Sequence, residues 1–352
     1  MKREKVFVNE IGPNQPVATA FALGDKQLRV ARNGNRYLTV KLIDKTGEIT
    51  GRIWDKAEQL MEGLPTAGAV FVRGRSELFR DELQLQIEEI VPLARNEVQA
   101  TDFLPSCPLP TDALIDTLQT HLKTVKRRHL KRLLNSFLSD AEFMAKFKQA
   151  PAAKSMHHAY LGGLLEHTAS VIGLLTRVCE HYPQLDRDLL LVGGFFHDIG
   201  KIQEFCYDLT IDYSDSGRLI GHMVLGLDIL QDKLRMQKAF PTDEAMLLKH
   251  LILSHHGEAE YGAVKLPMTM EALMLHFTDD MDAKMNSVAR IIAASPRQDH
   301  AWTPYQQIFG RFFFRGLSAE TGRESSAGED IAEMRGVQLK MWDAGRTRSD
   351  NS

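Results

Sequence analysis

The chain has 352 residues, of which 43% are hydrophobic and 25% are charged, and its formal net charge at pH 7 is -3. These values exclude disorder for most of the length, allow two globular domains, and do not by themselves indicate a polyanionic partner. The N-terminal stretch lacks the apolar core of a signal peptide, the apolar runs are too short to span a bilayer, and the cysteines form no Cys-x-x-Cys pair. We therefore expect a cytoplasmic protein that does not associate with membranes.

The N-terminal part, which we assign to residues 1–100, has the pattern of short β-strands. Apolar and polar residues alternate with a period of two between Val17 and Pro92, as in "RYLTVKLID", and Gly, Asn and Asp separate the runs. Five such runs are present, and the short helical stretch "DKAEQLMEG" follows the third. Five strands with one inserted helix predict a small closed barrel of the OB-like type.

Basic and aromatic residues of this predicted barrel are candidates for binding a nucleic-acid strand. OB-like barrels bind single strands through a basic groove with aromatic platforms for the bases. The alternative interpretation is that the arginines are ordinary barrel surface and that Trp54 belongs to the core, since acidic residues nearly balance basic ones in this region. The candidates are Arg36, Tyr37, Lys41, Arg52, Trp54, Arg73, Arg75 and Phe79.

The sequence changes character after residue 100. Residues 101–112 are rich in proline and predict a linker, whereas residues 113–315 have a helical pattern. Residues 316–352 are polar and rich in Gly and Ser, which is typical of a loosely held tail. We therefore expect a chain of two domains of different class, a β-barrel followed by an all-α domain.

One predicted helix of the second domain, residues 114–138, has a basic face. Its apolar stripe runs from Leu118 to Phe137 and points inward, so the charged side chains lie outside. No acidic residue lies among them, which favours a polyanionic partner, although a charge run is often only a solvated surface. The basic residues are Lys123, Lys126, Arg127, Arg128, Lys131 and Arg132, and among them Lys126, Arg127 and Arg128 are our candidate nucleic-acid contacts.

Five apolar segments of the helical domain each carry an imidazole or a carboxylate. Burying so many polar groups without partners would cost roughly 2 kcal/mol or more apiece, and far more for a lone carboxylate. A divalent metal site removes that cost, whereas scattered core histidines would each need a separate partner. Nitrogen and carboxylate donors without thiolate favour Mn²⁺, Fe²⁺, Co²⁺ or Mg²⁺ over a structural zinc site. The residues are His167; His197 and Asp198; His222; His255 and His256; and Asp279 and Asp282.

The same motifs resemble those of a known superfamily. His167, the adjacent pair His197 and Asp198, and then Asp279 follow in the order seen in the HD-domain metal-dependent phosphohydrolases. The segments "HHAYLGGLLEHT", "FFHDIGK", "GHMVLG", "LSHHGEAEYG" and "LHFTDDMDAK" behind an OB-like barrel resemble the YhaM-type 3'→5' exoribonucleases over roughly residues 15–312. The chain departs from the cyclic-dinucleotide phosphodiesterases, because "HHGEAEYGAVKLP" lacks their Gly-Tyr-Pro signature.

This resemblance implies a centre of two divalent metal ions. One ion would be held by His167, His197, Asp198 and Asp279, and the second by His222, His255 and His256 with Asp198 as a bridge. Two such ions would share and activate a water molecule.

The resemblance also implies the catalytic groups, which are Asp198 and Lys201. Lys201 would contact a non-bridging phosphate oxygen of the substrate. The alternative interpretation is that Lys201 is an ordinary lysine on a helix surface. Asp280 and Asp282 leave the last ligand open, since residues 279 and 282 share a helix face. His157 and His158 are expected to be supporting partners of the ligands.

Three functions remain compatible with the sequence. The first is a metal-dependent 3'→5' exonuclease that acts on single-stranded RNA, with single-stranded DNA as a further substrate left open, and releases nucleoside monophosphates. The second is a small-nucleotide phosphohydrolase or cyclic-dinucleotide phosphodiesterase with a regulatory barrel, and the third is a non-catalytic nucleic-acid-binding protein. The complete ligand set disfavours the third, and the strand-binding fold favours the first. Self-association into a homo-oligomer is left open.

Overall fold

Two compact units make up the part of the chain that the structure describes. The structure is a computed structural model, and it describes residues 5–31, 34–66, 68–79, 82–295 and 301–316. The first unit lies within Met1–Ser106 and includes Cys206–Asp212, and the second lies within Cys107–Phe205 and includes the described residues from Tyr213 onward. Among the described helices, none combines the length and the apolar character that crossing a membrane requires. The predicted tail, apart from residue 316, falls outside the described residues.

The first unit contains a closed barrel with the strand order β1-β2-β3-β5-β4. Neighbouring strands are antiparallel, except that β3 and β5 pair in parallel around Gly51 and Leu85. This order, with a helix between the third and fourth strands, confirms the predicted OB-like barrel. The elements are β1 (Pro16–Val30), β2 (Arg36–Asp44), β3 (Gly47–Ile53), α1 (Ala57–Gly63), β4 (Gly68–Phe79) and β5 (Glu82–Leu93).

Alternation along the strands separates the barrel core from its outer face. In β2, Leu38, Val40 and Leu42 are fully buried, whereas Tyr37 and Lys41 point to the other side of the strand. The buried side chains join those of the other four strands in one apolar cluster. The outer face of β2 therefore carries polar side chains and the ring of Tyr37.

The second unit is built mainly of helices. Helix α5 is its central element, since it packs against α2, α4, α6 and α11 and is buried along most of its length. A cluster of buried phenylalanines, which includes Phe137, Phe147 and Phe195, fills the space beside α6. The helices are α2 (Thr111–Leu122), α3 (Arg128–Leu138), α4 (Ala141–Gln149), α5 (Gly163–His181), α6 (Arg187–Phe196), α7 (Lys201–Glu204), α8 (Asp215–Leu219), α9 (His222–Arg235), α10 (Thr242–Ser254) and α11 (Met270–Ala294).

The prediction of a single helix over residues 114–138 is wrong, because the helix is interrupted between α2 and α3. The backbone N–H groups of Lys126 and Arg127 both donate to Asp188 Oδ2, each at 2.8 Å. Val125, between the two helices, is fully buried. A carboxylate more than 60 residues along the chain thus satisfies the donors that open α3, which a local pattern does not reveal.

The helical pattern predicted as far as residue 315 is also too long. Helix α11 ends at Ala294, and residues 301–316 form an irregular segment with the isolated bridges Trp302–Phe314 and Gln306–Arg311. A small two-stranded sheet, β6 (Phe205–Tyr207) and β7 (Ile211–Tyr213), interrupts the helices as well. Strands of three residues are too short to produce a recognisable alternation.

Candidate metal centre and strand-binding face

Five segments of the helical unit bring the predicted ligands together. His167 lies in the middle of α5, His197 and Asp198 follow α6, and His222 is the first residue of α9. His255 and His256 follow α10, and Asp279 lies in α11. Ligand atoms of His167, His197 and Asp279 lie within 4.8 Å of one another, and so do those of His222, His255 and His256. We call these groups the first and the second cluster.

Asp198 lies between the two clusters and presents one carboxylate oxygen to each. Its Oδ2 is 3.5 Å from His167 Nε2 and 3.4 Å from His197 Nε2. Its Oδ1 is 3.6 Å from His222 Nε2 and 3.4 Å from His255 Nε2. The carboxylate therefore has the geometry of a bridge between two cation positions.

The unpaired oxygen of Asp198 supports the presence of a cation. Asp198 is 1% exposed, and its Oδ1 has no hydrogen-bond partner among the described residues, although two imidazole nitrogens face it. A buried carboxylate oxygen without a partner is costly, and a divalent cation is the group that would satisfy it. The residues present thus fit a divalent metal, with nitrogen and oxygen donors from both sides.

Each of the five histidines is oriented by a contact at its Nδ1 atom. An oxygen acceptor at Nδ1 selects the tautomer that carries its proton there and leaves the Nε2 lone pair for a metal. The acceptors are backbone carbonyls for three of the rings and carboxylates for the other two. His197 Nδ1 faces Gly194 O at 2.8 Å, His255 faces Ile252 O at 2.7 Å, His256 faces Tyr261 O at 2.8 Å, His222 faces Glu204 Oε1 at 3.0 Å, and His167 faces Asp282 Oδ2 at 2.7 Å.

The position of Asp282 separates it from Asp279 as a ligand. Asp279 Oδ1 lies 3.0 Å from His167 Nε2, the nitrogen that faces the first cluster. Asp282 contacts the opposite nitrogen of that ring, and its Oδ1 accepts the hydroxyl of Ser170. Asp280 instead forms an ion pair with Lys284, with an N–O distance of 2.7 Å. Asp279 therefore belongs to the first cluster, whereas Asp282 forms a separate buried group with His158 and His167 on the other side of the His167 ring.

His158 extends this support, and His157 lies beside it. His158 is buried, and its Nε2 is 2.9 Å from Asp282 Oδ2. The ring of His157 is centred 5.9 Å from that of His167, and burial together with Lys201 lowers the pKa of His157 to about 3. His158 thus contacts the carboxylate that orients His167, whereas His157 is linked to His167 only by the contact between their rings.

Glu204 is a site residue that sequence reasoning missed. Its Oε1 accepts both the backbone N–H and the Nδ1–H of His222, each at 3.0 Å. A glutamate at the end of a four-residue helix has no local signal that distinguishes it from a surface residue. Its only hint was its place in "HDIGKIQEF", six residues after Asp198.

Gly200 allows the segment with Asp198 to approach α9. A Cβ atom at this position would lie 1.9 Å from the backbone oxygen of His222. Only a glycine permits that contact. The close approach explains how His222, from a separate helix, reaches the carboxylate of Asp198.

Lys201 is a buried lysine, so its interpretation as a surface residue is wrong. It is 7% exposed, and its Nζ donates to Asp198 Oδ2 at 2.6 Å. Burial alone would favour the neutral amine, but Asp198 and Asp279 outweigh it and raise the pKa of Lys201 above its usual value. The ammonium therefore remains charged beside the bridging carboxylate.

The electrostatics of the metal ligands differ between the clusters. Burial lowers the pKa of His255, and burial with the neighbouring His255 and His222 lowers that of His256 to about 3, so both rings are neutral and ready to bind a metal. His167 behaves in the opposite way. Burial opposes its charge, but Asp279 and Asp282 outweigh that cost and raise its pKa to about 10.

The outer face of the barrel carries a compact aromatic group. Tyr37 and Trp54 stack with ring centroids 4.7 Å apart, and Trp54 is 42% exposed, which excludes it from the core. The Arg52 guanidinium lies 4.6 Å from the centre of the Phe79 ring and 5.9 Å from that of Tyr37. The structure thus brings together four of the predicted barrel residues, and we call them the aromatic platform.

The other predicted barrel residues have protein partners. Arg36 pairs with Glu58 at 2.6 Å, Lys41 with Glu48 at 2.6 Å and Arg73 with Glu89 at 2.9 Å. Arg75 donates to the backbone oxygen of Asn14 at 3.0 Å. The three ion pairs are exposed and hence weak, so an incoming phosphate can replace the carboxylates.

Arg127 does not lie on an outward basic face, contrary to the prediction. It pairs with Glu244 at 3.0 Å and also contacts Asp186 and Asp188. Three carboxylates therefore compensate its charge and fix it to the helical unit. Lys126 and Arg128, on either side of it, are exposed.

Comparison with protein families matches residues 164–284 to the HD domain family. The matched range includes all seven predicted ligands, from His167 to Asp279. It begins at the start of α5 and ends within α11, the two helices that carry His167 and Asp279 of the first cluster.

Curated relatives match most of the chain. The protein named 3'-5' exoribonuclease YhaM from Bacillus subtilis (strain 168) is 34% identical over 288 residues, which cover 82% of this chain and 90% of the relative. The protein of the same name from Bacillus pumilus (strain SAFR-032) is 34% identical over 264 residues, which cover 75% of this chain and 83% of the relative.

Solved structures show a more limited similarity. The second OB-fold domain of replication protein A from Methanococcus maripaludis is 17% identical and covers 26% of this chain and 95% of that domain, with a TM-score of 0.22.

Proposed function

This chain belongs to the YhaM family of 3'-5' exoribonucleases, and we propose that it degrades single-stranded RNA from the 3' end with the help of two divalent metal ions. The products are nucleoside monophosphates. Among metals, the donor set favours Mn²⁺, Fe²⁺, Co²⁺ or Mg²⁺. An RNA substrate and three free cysteines support a location in the cytoplasm.

The observation that carries the proposal is the division of Asp198 between two imidazole clusters. One oxygen faces His167 and His197, and the other faces His222 and His255. A single metal would need only one of these oxygens, and the other would remain buried without a partner. Two ions, the first also bound by Asp279 and the second by His256, use both.

The chemistry requires few groups beyond the ligands. When bound, the two ions would activate a water molecule for attack and neutralise charge on the phosphoryl group. The Nδ1 contacts hold the five rings in place, so little reorganisation accompanies the reaction. Lys201 donates to Asp198 Oδ2, which supports the orientation of this carboxylate, and its ammonium is the group that would meet a non-bridging phosphate oxygen.

The aromatic platform supports the choice of a nucleic-acid strand as substrate. The exposed rings of Trp54 and Phe79 and the half-buried ring of Tyr37 offer faces on which unpaired bases stack, and Arg52 adds a cation beside them. Arg36, Lys41 and Arg73 become phosphate contacts when the strand displaces their carboxylate partners. Arg75 follows Arg73 by two residues in β4 and is exposed as well.

On the helical unit, Lys126 and Arg128 are the proposed phosphate contacts. Both are exposed, and no ion pair involves either of them among the described residues, whereas Arg127 is excluded by its three carboxylates. Lys123 and Lys131 continue the basic surface along α2 and α3. Their contribution should be electrostatic and independent of sequence.

The test is degradation of a 5'-labelled single-stranded RNA by the purified protein with Mn²⁺. We expect a descending ladder of labelled products, loss of activity with a chelator, and resistance of a circular RNA of the same sequence. Cleavage of the circle would show endonuclease action and contradict the proposal. Intact RNA alongside hydrolysed cyclic dinucleotides or mononucleotides would instead identify a small-nucleotide phosphohydrolase.

A further inference from the structure

The turn that carries two ligands of the second cluster is closed by a glycine in a left-handed conformation. His255 and His256 follow α10, and the next residue, Gly257, has φ of +77°. The Gly257 N–H donates to Ser254 O at 2.8 Å, which folds the chain back immediately after the two histidines. The direction in which both rings point therefore depends on this tight turn.

His276, on α11, packs on that turn from outside. Its Nδ1 donates to the backbone oxygen of His255 at 2.9 Å. A Cβ atom at Gly257 would lie within 2.3 to 2.6 Å of three atoms of the His276 ring, so the ring rests directly on the Gly257 backbone. One side chain thus makes both a hydrogen bond and a close packing contact with the turn.

The same helix carries a ligand of the first cluster. Asp279 follows His276 by three residues, which is less than one helical turn, and Asp279 Oδ1 lies 3.0 Å from His167 Nε2. A rigid helical turn therefore separates the contact on the second cluster from a ligand of the first. Any shift of His255 and His256 relative to Asp279 has to break the contacts of His276.

We propose that His276 is a positioning residue that clamps the turn of His255, His256 and Gly257 onto α11 and so sets the spacing of the two metal ions. The inference rests on the proposed two-ion centre and adds a residue that binds neither ion. His276 acts through the His255 carbonyl and the Gly257 backbone. Its loss loosens the second cluster and leaves the ligands of the first unchanged.

Manganese binding to His276 variants tests the clamp. Relative to the unaltered protein, His276→Ala should weaken the second Mn²⁺ by about 10-fold to 100-fold, as for other residues that orient metal ligands, and the first by less than about twofold. Its electron paramagnetic resonance spectrum should change from that of a coupled Mn²⁺ pair to that of isolated Mn²⁺. His276→Asn should restore both properties to a large extent, since its amide nitrogen occupies the place of Nδ1.

A double substitution tests the packing contact independently of the hydrogen bond. Gly257→Ala should weaken the second ion strongly, because the new methyl group meets the His276 ring. In the double variant Gly257→Ala, His276→Ala, the loss of binding should be smaller than the sum of the two single losses, since the colliding ring is gone and only the strain of alanine at a positive φ remains. Gly262→Ala is the matched control: Gly262 has φ of +92°, but the atom nearest to its added Cβ is His256 Nδ1 at 3.6 Å, an ordinary contact. Its effect should add to that of His276→Ala.

Three outcomes would overturn the clamp. They are equal weakening of both ions in His276→Ala, failure of His276→Asn to restore the coupled spectrum, and additive effects of Gly257→Ala and His276→Ala. Thermal unfolding of the metal-free variants identifies a general loss of folding, which would weaken both ions together. An unaltered protein that binds a single Mn²⁺ would refute the two-ion centre itself, and that result differs from two coupled ions that are insensitive to His276.

Discussion

Two ion pairs of the same length illustrate how differently the two units use charge. On the barrel, Arg36 and Glu58 are 2.6 Å apart, with side chains 59% and 62% exposed. In the helical unit, Lys201 and Asp198 are also 2.6 Å apart, but their side chains are 8% and 2% exposed. An exposed pair contributes about 0–1 kcal/mol and exchanges partners easily, whereas breaking a buried pair leaves a charge that water cannot reach. Burial rather than distance thus separates a fixed centre from an adaptable surface.

The largest effect is expected for Asp198→Asn, which removes the negative charge of the buried ion pair. The amide keeps the shape but removes the charge facing Lys201 and both clusters, so turnover of RNA should fall by more than about 10³-fold. Thermal unfolding and metal analysis should accompany the assay, since the uncompensated lysine costs about 3–5 kcal/mol.

Asp280→Asn is the matched control for that experiment. Asp280 lies in an exposed pair with Lys284, so its loss should change turnover by less than about twofold. Near-normal turnover of the Asp198 variant would contradict metal-dependent catalysis at this centre.

Lys201→Met sharpens the comparison by removing the other charge of the buried pair. Turnover should fall by about 10²–10³-fold with little change in RNA affinity, the pattern for loss of an electrostatic donor. Lys284→Met, at an exposed pair, should have no such effect. If Lys201→Met and the unaltered protein had equal turnover, Lys201 would have no role in the mechanism.

The pH dependence of metal binding tests the charge state of His167. Its pKa is raised to about 10 by Asp279 and Asp282, so in the metal-free protein the ring is protonated at neutral pH. A metal has to displace that proton, so affinity for the first ion should rise about tenfold per pH unit between about pH 7.5 and 9. The protonated ring stabilises the metal-free fold fully below the unfolded pKa, and this stabilisation is lost as pH rises through about 10. Competition with a chelating dye measures the slope, and a flat profile would disagree with a protonated His167.

Trp54→Ala tests whether the aromatic platform on the exposed surface of the barrel binds RNA. Loss of one stacking surface should weaken binding of single-stranded RNA by about 1–3 kcal/mol, while turnover of a saturating short substrate stays unchanged. Trp302, which is 54% exposed in the segment 301–316, provides a control of the same residue type. If Trp302→Ala weakens binding as much as Trp54→Ala, the platform is not a specific strand-binding face.

The smallest effect is expected for the double variant Lys126→Ala, Arg128→Ala. Loss of two phosphate contacts with a single strand should reduce the magnitude of the slope of log affinity against log salt concentration by about 1.4. The loss of affinity at physiological salt should be modest. Lys146→Ala, which removes an exposed pair with Glu142, should leave the slope unchanged. An unaltered slope in the double variant would show that this basic surface is merely solvated.

The elements that sequence analysis predicted correctly have strong local patterns. Alternation in β2 reveals the barrel because each buried leucine or valine has an outward neighbour. The ligands are recognisable because imidazoles and carboxylates stand within apolar runs, as His167 does in α5. By contrast, neither the interruption before α3 nor the ion pairs of Arg127 have a local signal, since both depend on carboxylates that are distant in the chain.

Local sequence patterns predict the strands and the helical character of the second unit, the set of polar residues buried together, and the order of motifs typical of the family. Three features are visible only in the folded chain: which oxygen of Asp198 faces which cluster, that Asp279 rather than Asp282 meets the Nε2 side of His167, and that Glu204 orients His222. The difference lies in the range of the interactions. Period and composition act between neighbours in the chain, whereas a carboxylate and the imidazole it orients meet only when helices distant in sequence pack together.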